Sequence, residues 1–307
     1  MSSKVLITVV GPTAIGKTRL AIALAQHFKT EILSADSRQF YKEMRIGTAV
    51  PSPEELSTVK HHFIQHKSVL EQYTVGDFER EAIEKLVLLF KTKDVAIMVG
   101  GSGLYTDAVV DGLDEFPEVD PKIREGLIKE LNSNGIKSLQ VKLKELDEVY
   151  YQKVDLENSH RVIRALEICI GSGKAYSSFL NQKKSKRSFR TIYIGLAADR
   201  EIIYDRINQR VDIMMNVGLL EEVKSLYQHK NLNTLQTVGY RELFSFIDGK
   251  WSLEKAIEEI KKNTRRFAKR QLTWYRKNSN IFWIDSDLKQ QEMIVKVEKH
   301  LKAVVNE

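Results

Sequence analysis

Eight residues near the start of the chain have the types and spacing that bind phosphate. They follow the apolar run Val5–Val10 and fit the phosphate-binding loop pattern G-x-x-x-x-G-K-[ST], in its strand-then-helix context. Glycines let backbone N–H groups turn toward an anion, and the helix that begins near Lys17 points its positive end at the same place. The eight predicted diphosphate ligands are Gly11, Pro12, Thr13, Ala14, Ile15, Gly16, Lys17 and Thr18.

Two side chains of this loop carry chemistry beyond the backbone cradle. Lys17 adds a full positive charge, and the Thr18 hydroxyl is suited to bind Mg²⁺. A chance match in a glycine-containing loop is the alternative, and three fixed positions in the right context disfavour it. The loop therefore indicates a protein that binds a di- or triphosphate.

A second polar segment follows the next predicted strand, where Ser34 leads into Asp36-Ser37-Arg38-Gln39. In an open parallel sheet, ligands lie beyond the carboxyl ends of the strands, so Asp36 is expected beside the phosphate loop. Its carboxylate can hold Mg²⁺ through water or accept a proton. A turn or capping role is equally compatible with these residue types.

The fourth predicted strand ends in glycines and carries no acid. Phosphate-loop NTPases usually have an Asp there to hold Mg²⁺, whereas this chain has Val99-Gly100-Gly101-Ser102-Gly103-Leu104-Tyr105. The glycines predict either a close approach of backbone to a ligand or a tight strand-to-helix turn. The missing acid disfavours a motor protein or a GTPase.

The elements that must position these residues alternate between strands and helices. Short apolar runs at 5–10, 31–34, 62–64, 95–99 and 191–196 predict strands, and 281–284 adds a last one. Helices are predicted at 17–28 and 78–90. This alternation predicts an α/β fold, a P-loop-type parallel sheet flanked by helices.

A helical insertion interrupts the predicted sheet domain. Residues 119–188 lack a convincing strand and end in a basic connector at 183–187. We therefore predict a catalytic domain made of residues 1–118 and 189–307, with a helical insertion domain at 119–188.

Composition narrows the class and the compartment. The 307 residues carry a net charge of +7 and are 42% hydrophobic, which allows a large core and favours a polyanionic partner. The lone Cys169 allows neither an internal disulfide nor a thiolate zinc site, and His61, His62 and His66 lack acids at metal-ligand spacing. We expect no targeting segment, no membrane association and a cytoplasmic location.

The basic residues concentrate toward the end of the chain. Residues 265–277 interleave Arg and Lys with Phe267, Trp274 and Tyr275 in a helical pattern, as contact with an RNA backbone would need. The alternative is a solvated basic face above a core contact between Phe267 and Trp274. Both can hold, because the aromatics can pack inward while the basic face meets RNA.

Taken together, these segments resemble the tRNA dimethylallyltransferase family. The resemblance spans nearly the whole chain in the family's order, and the combination of segments is specific where the phosphate loop alone is not. The chain departs from the family pattern at Val50, at Ser102 and at 155–158. The matching stretches are Gly11 to Thr18, Asp36 to Gln39, Ile46 to Ala49, Gly100 to Tyr105, His160 to Glu167, Val238 to Glu242 and Lys269 to Trp274.

The resemblance implies transfer of a dimethylallyl group from dimethylallyl diphosphate to N6 of adenosine 37, in tRNAs that read codons beginning with U. It implies Mg²⁺ as cofactor and tRNA as partner, bound partly by the helical insertion. The implied catalytic residues are Asp36, Lys17, Thr18 and Arg210, with Thr18 also on the metal. The implied tRNA-binding residues are Asp36, Ser37, Arg38, Gln39, Ser102, Arg124, Arg161, Gly239, Tyr240, Arg241, Arg270 and Gln271.

Other interpretations remain open from the residues alone. Without the resemblance, Arg210 would be an exposed helix charge. A small-molecule kinase that uses ATP explains the phosphate loop but not the basic aromatic segment. An enzyme that prenylates free adenine nucleotides, or a non-catalytic RNA-binding module, fits less of the chain. Nothing in the sequence favours a stable oligomer, so we expect a monomer.

Overall fold

Six parallel strands form the framework of the protein in a computed structural model, which describes residues 4–181 and 186–306. Their order across the sheet is β3-β2-β4-β1-β5-β6, and every pairing is parallel. The α/β class predicted from the sequence is confirmed. The strands are β1 (Val5–Val10), β2 (Ile32–Ser34), β3 (His61–His62), β4 (Val95–Val99), β5 (Arg190–Ala197) and β6 (Ile281–Asp285).

Helices make the crossover connections that parallel strands require. None of those in the described part of the chain is both long and apolar enough to span a bilayer. In chain order they are α1 (Lys17–His27), α2 (Pro53–Thr58), α3 (Val75–Leu89), α4 (Gly103–Asp111), α5 (Pro121–Asn134), α6 (Ile136–Leu146), α7 (Glu148–Tyr151), α8 (Ser159–Ser172), α9 (Arg200–Asn216), α10 (Leu219–Ser225), α11 (Tyr240–Ile247), α12 (Leu253–Tyr275) and α13 (Gln290–Asn306).

The chain divides into two compact units. The first comprises Met1–Asp111 and Arg187–Glu307 and holds the sheet, and the second, Gly112–Lys186, holds α5 to α8. The sequence predicts the insertion at 119–188. Of the predicted connector at 183–187, residues 183–185 lie outside the described residues, whereas Arg187 bonds Glu79 and the Ala108 carbonyl within the first unit.

The sheet is buried on both faces. Leu6 and Met98 point into one apolar layer, which includes Phe78 of α3, while Ile7 points into the opposite layer with Leu24 of α1. Strands covered by helices on both sides lack the alternation of polar and apolar residues that a half-exposed strand shows. This is why β1 is apolar at every position except Thr8, which is itself buried.

Two element boundaries differ from their predictions for local reasons. Helix α3 begins at Val75, three residues before the predicted start, because the Thr74 hydroxyl and the Asp77 carboxylate form a capping box. Strand β3 ends at His62, where 62–64 was predicted, because Phe63 has a φ of 64° and turns the chain out of the extended conformation.

The carboxyl ends of three adjacent strands bring the predicted site together. Strand β4 lies between β1 and β2, and Val99 pairs with Val9 on one side and Ser34 on the other. Beyond the ladder, the Gly100 N–H donates to the Val9 carbonyl at 3.3 Å, and the Ala35 N–H donates to the Val99 carbonyl at 2.7 Å. The phosphate loop, Asp36 and the glycine turn are therefore neighbours at one edge of the sheet.

Replacing Gly100 by alanine should destabilise the first unit. An added Cβ would lie 2.5 Å from the Ala35 carbonyl oxygen, so backbone would have to move. We expect a loss of about 1–3 kcal/mol in the free energy of unfolding, measured by urea denaturation. The matched control is Gly126→Ala in α5, where a Cβ has open space and should stabilise by about 0.5–1 kcal/mol. Equal effects of the two changes would contradict the tight turn.

Candidate active site

The phosphate loop joins β1 to α1 in the conformation that its sequence predicts. Gly16 has a φ of 101°, a region that glycine enters without strain, and Ala14 is also left-handed at 63°. Alternating signs of φ turn successive N–H groups toward one concavity, which suits an anion. Helix α1 begins at Lys17, so its N-terminus faces the same concavity.

The Lys17 ammonium lies inside this cradle. Its Nζ donates a hydrogen bond to the Pro12 carbonyl at 2.7 Å. Burial lowers the pKa of Lys17 to about 8; the nearby Asp36 carboxylate opposes this shift, and Arg210 adds to it. A lysine with this pKa is readily deprotonated when no anion is bound, and a bound phosphate would hold its proton.

Asp36 follows β2 and faces the cradle. Burial raises the pKa of its carboxyl, while the Arg38 N–H at 3.2 Å and the charges of Lys17, Arg38 and Arg210 oppose that rise. Part of its surface remains open to the cavity. Asp36 is therefore a carboxylate of increased basicity, surrounded by cations and facing open space.

Two cavities meet at this carboxylate, and both are lined by the first unit alone. The phosphate cavity, of about 460 Å³, is lined by the phosphate loop from Thr13 onward, with Val50 and Glu55 at its far side. The acceptor cavity, of about 500 Å³, extends from the glycine turn to α12 and is the more apolar of the two. Residues shared by both walls are Thr13, Asp36, Thr48, Ala49 and Arg210.

Several residues predicted to bind tRNA line the acceptor cavity: Asp36, Ser37, Arg38, Ser102, Gly239, Arg241, Arg270 and Gln271. The Ser37 and Ser102 hydroxyls lie 3.1 Å apart, and Arg38 donates to the Thr234 carbonyl at 2.8 Å. Gln271 is buried, and its side-chain amide bonds the Thr13 N–H and the Gly101 carbonyl. The role of this set in RNA binding stays a prediction.

The wall between the two cavities includes Thr48 and Ala49, and a half-buried carboxylate fixes the segment 45–47 that precedes them. Glu222 of α10 accepts hydrogen bonds from the N–H groups of Arg45, Ile46 and Gly47 at 2.7–3.0 Å, and from the Tyr240 hydroxyl at 2.6 Å. Tyr240 is fully buried, so its ring cannot make the predicted contact with RNA in this conformation.

Two further contacts complete this wall. The Gln39 amide donates to the carbonyls of Thr48 and Ala49 at 3.1 and 2.9 Å, and so lies at the phosphate cavity. Sequence reasoning missed Glu222, because it lies more than 170 residues from the loop that it holds and belongs to no local motif.

Helix α12 closes the site over the glycine turn. The Trp274 indole donates to the Asp107 carboxylate at 2.9 Å and packs against Gly103, while the Tyr275 hydroxyl donates to the Gly100 carbonyl at 3.4 Å. The glycines therefore allow a close approach of protein side chains. Phe267 and Trp274 keep 38% and 40% of their surface exposed, so the aromatics of this helix line the acceptor cavity as well as pack.

The second unit carries the remaining predicted RNA contacts. Glu167 of α8 forms ion pairs with Arg124 at 2.9 Å and with Arg164 at 3.4 Å. Both arginine side chains still have more than 40% of their surface exposed. Arg161 lies one turn before Arg164 on the same helix. Cys169 is buried there as a free thiol, and its Sγ accepts the Tyr176 N–H at 3.3 Å.

No group of three or more His, Cys, Asp or Glu side chains suited to a metal ion occurs in the described residues. His61 and His62 form β3, and the His62 ring bonds Glu31. His66 packs edge-on against the rings of Phe40 and Tyr73.

Comparison with known proteins is consistent over the whole chain. The model of a family described as IPP transferase matches residues 39–278. A tRNA dimethylallyltransferase from Flavobacterium johnsoniae is 60% identical over 98% of this chain and 100% of its own length. One from Christiangramia forsetii is 62% identical over 93% of this chain and 94% of its own length.

Solved structures agree with the sequence relatives. The tRNA isopentenylpyrophosphate transferase from Bacillus halodurans superposes with a TM-score of 0.74 at 35% identity, covering 99% of this chain and 97% of that one. A eukaryotic dimethylallyltransferase acting on tRNA superposes with a TM-score of 0.78 at 29% identity, covering 92% of this chain and 74% of that one.

Affinity for inorganic diphosphate should decrease as the pH rises through about 8. The pKa of unliganded Lys17 is about 8, so the ammonium that would bind the anion is lost above that pH. Calorimetry between about pH 7 and about pH 9.5 should show a falling ratio of wild-type to Lys17→Met affinity. The Lys17→Met variant corrects for titration of the ligand. A ratio that stays constant across this range would contradict the assigned position of Lys17.

Proposed function

The chain belongs to the IPP transferase family, and we propose that it transfers a dimethylallyl group from dimethylallyl diphosphate to N6 of adenosine 37 in tRNA. It is a tRNA dimethylallyltransferase, as its relatives are named. The proposal extends to tRNAs that read codons beginning with U. Its products are N6-dimethylallyladenosine and diphosphate.

One observation carries the proposal: Asp36, Arg210 and Thr13 lie where the phosphate cavity meets the acceptor cavity. A substrate whose diphosphate occupies the first cavity would extend its carbon chain toward this junction. A base that enters the second cavity would present its edge to the same place. The two reacting atoms would then meet beside the one carboxylate shared by both walls.

The first half of the chemistry breaks a C–O bond. The bonding electrons leave with the bridging oxygen, so negative charge builds on the diphosphate as the allylic carbon becomes electron-poor. The Lys17 ammonium, the Arg210 guanidinium and the backbone N–H groups of the loop stabilise that charge. A cradle of the kind that binds nucleotide phosphates suits this leaving group without alteration.

The second half forms a C–N bond and releases a proton. The exocyclic N6 attacks the allylic carbon with its electron pair, and the nitrogen becomes acidic as this bond forms. The Asp36 carboxylate, whose pKa is raised by burial, accepts the proton late in the reaction. The turn role considered from the sequence is also present, because the Asp36 carboxylate accepts a hydrogen bond from the Arg38 N–H. We propose that Asp36 acts as the base in addition to this turn role.

The oxygen donors present fit Mg²⁺. The Thr18 hydroxyl and the Asp36 carboxylate line the phosphate cavity, and Mg²⁺ usually takes one or two oxygens from protein and the others from phosphate and water. When bound, the ion offsets charge on the diphosphate. Thr18 would hold it directly, and the absence of a cluster of acids among the described residues suits an ion carried mainly by the substrate.

The RNA must present an unstacked base, because N6 cannot enter a cavity while adenosine is stacked in the anticodon loop. Phe267 and Trp274 offer exposed ring surface for such a base, and Arg241 and Arg270 line the same cavity near the RNA backbone. Within the second unit, the exposed guanidiniums of Arg124, Arg161 and Arg164 are the groups proposed to bind the anticodon stem-loop.

We propose a monomeric enzyme that acts on tRNA in the cytoplasm. The net charge of +7 favours its association with an RNA polyanion.

The test is transfer of labelled dimethylallyl diphosphate to a tRNA with adenosines at positions 36 to 38 of its anticodon loop, in the presence of Mg²⁺ and absence of ATP. Label should enter the RNA, and replacing adenosine 37 by guanosine should abolish it. If no label enters, and a parallel reaction with added ATP shows ATP hydrolysis or transfer of its phosphate to a small acceptor, the chain is a small-molecule kinase and the proposal is wrong.

Asp36→Asn should abolish transfer while leaving both substrates bound. The amide keeps the size of the side chain but cannot accept the N6 proton, so we expect a rate loss of about 10²–10⁴-fold with tRNA affinity within a few-fold of wild type. Single-turnover rates and filter binding measure the two effects. The matched control is Asp205→Asn on the exposed surface of α9, which should leave both unchanged. Transfer at the wild-type rate by Asp36→Asn would exclude Asp36 as the base.

A further inference from the structure

The side chain of Gln271 joins two segments of the active site that are far apart in sequence. Its Oε1 accepts the Thr13 backbone N–H at 2.8 Å, and its Nε2 donates to the Gly101 carbonyl at 2.8 Å. Only 5% of the residue is exposed. Both ends of this amide are bonded to backbone, and burial leaves its remaining N–H and lone pair little access to a nucleotide.

The glycine turn is shaped to receive this amide. A Cβ on Gly101 would lie 2.2 Å from Gln271 Nε2 and 3.9 Å from Lys17 Nζ. Gly101 therefore leaves the space that the glutamine occupies, directly beside the lysine of the phosphate loop. The contact places α12, the glycine turn and the phosphate loop in fixed register.

A neutral amide satisfies both partners at once. The Thr13 N–H needs an acceptor, and the Gly101 carbonyl needs a donor, so loss of either leaves a buried backbone group unpaired. A carboxylate at position 271 would serve Thr13 but would place a second oxygen against the Gly101 carbonyl. A protonated carboxylic acid would again supply one donor and one acceptor.

We propose that Gln271 is a positioning residue for diphosphate binding, which acts by holding the Thr13 and Gly101 backbones, and that it does not contact tRNA. The inference rests on the proposed function, while the measurement of diphosphate binding needs neither RNA nor the transfer reaction. Its neighbour Arg270 also lines the acceptor cavity, but Arg270 is exposed and stacks over Phe267, whereas Gln271 is buried. The two adjacent residues should therefore have opposite phenotypes.

The experiment compares Gln271→Ala with Arg270→Ala in two separate binding measurements. For Gln271→Ala we expect the dissociation constant for inorganic diphosphate, measured without RNA, to rise about tenfold or more, with tRNA affinity within about twofold. For Arg270→Ala we expect weakened tRNA binding and unchanged diphosphate binding. If Gln271→Ala weakens tRNA and leaves diphosphate affinity intact, Gln271 is an RNA contact and the proposal is wrong.

A second variant separates positioning from a general loss of structure. Gln271→Glu should bind diphosphate poorly at about pH 8 and recover as the pH falls toward about 5.5, because the protonated acid restores both hydrogen bonds. The ratio to wild type removes the titration of Lys17 and of the ligand. A defect independent of pH would overturn the proposal, since a variant that merely packs badly would not recover.

A double-mutant cycle tests the fit between the two residues. Gly101→Ala should reproduce the diphosphate defect of Gln271→Ala, and the double variant should be little worse than either, because both changes break one contact. Strictly additive effects would contradict the shared contact. Failure of the wild type to transfer label to tRNA would sink the proposed function, whereas the contrast in diphosphate binding would still decide the role of Gln271.

Discussion

Buried charges around an anion-binding loop set the main constraint on this structure. Burial moves the pKa of Lys17 down and that of Asp36 up, whereas the attraction between the two opposes both shifts. Arg210 then leaves the edge with more positive than negative charge. A bound diphosphate would neutralise this excess, so the phosphate cavity is suited to an anion, and the carboxylate would remain available as the proposed base.

The rest of the fold keeps these groups in place by pairing backbone with distant side chains. Glu222 holds the loop that forms the wall between the two cavities, and Gln271 holds the phosphate loop to the glycine turn. Gln271 acts just beyond the ends of β1 and β4, where the ladder no longer satisfies the backbone, and Glu222 acts in the longer segment between β2 and α2. A phosphate cradle made of loops is rigid here because side chains from helices take over the hydrogen bonds that the sheet supplied.

The parts that sequence predicts are those determined locally. The six strands, the start of α1 and the placement of Asp36 beside the phosphate loop follow from apolar runs, glycine positions and the rule that parallel strands end at one edge. Element ends were less predictable, since the capping box at Thr74 and the left-handed Phe63 depend on single side chains and backbone angles.

Contacts across long separations could not be predicted from patterns. Thr13 and Gln271 are 258 residues apart, and nothing in the spacing of either motif indicates that their residues would form a hydrogen bond. The family resemblance implied that Gln271 and Tyr240 bind tRNA, because both lie in segments that match the family. Burial is a property of the assembled fold, and it assigns both side chains to protein contacts.

The glycine turn explains how a phosphate loop can serve chemistry at carbon. In an NTPase, an acid after this strand positions a metal ion for attack at phosphorus. Here Gly101 and Gly103 leave room for Gln271 and Trp274 of α12, which brings aromatic surface up to the phosphate loop. An acid at this turn would place a second unpaired carboxylate in the apolar cavity, where the allylic carbon and the base must meet. In the proposed reaction the phosphate loop holds the leaving group, and Asp36, on the wall that both cavities share, accepts the proton from nitrogen.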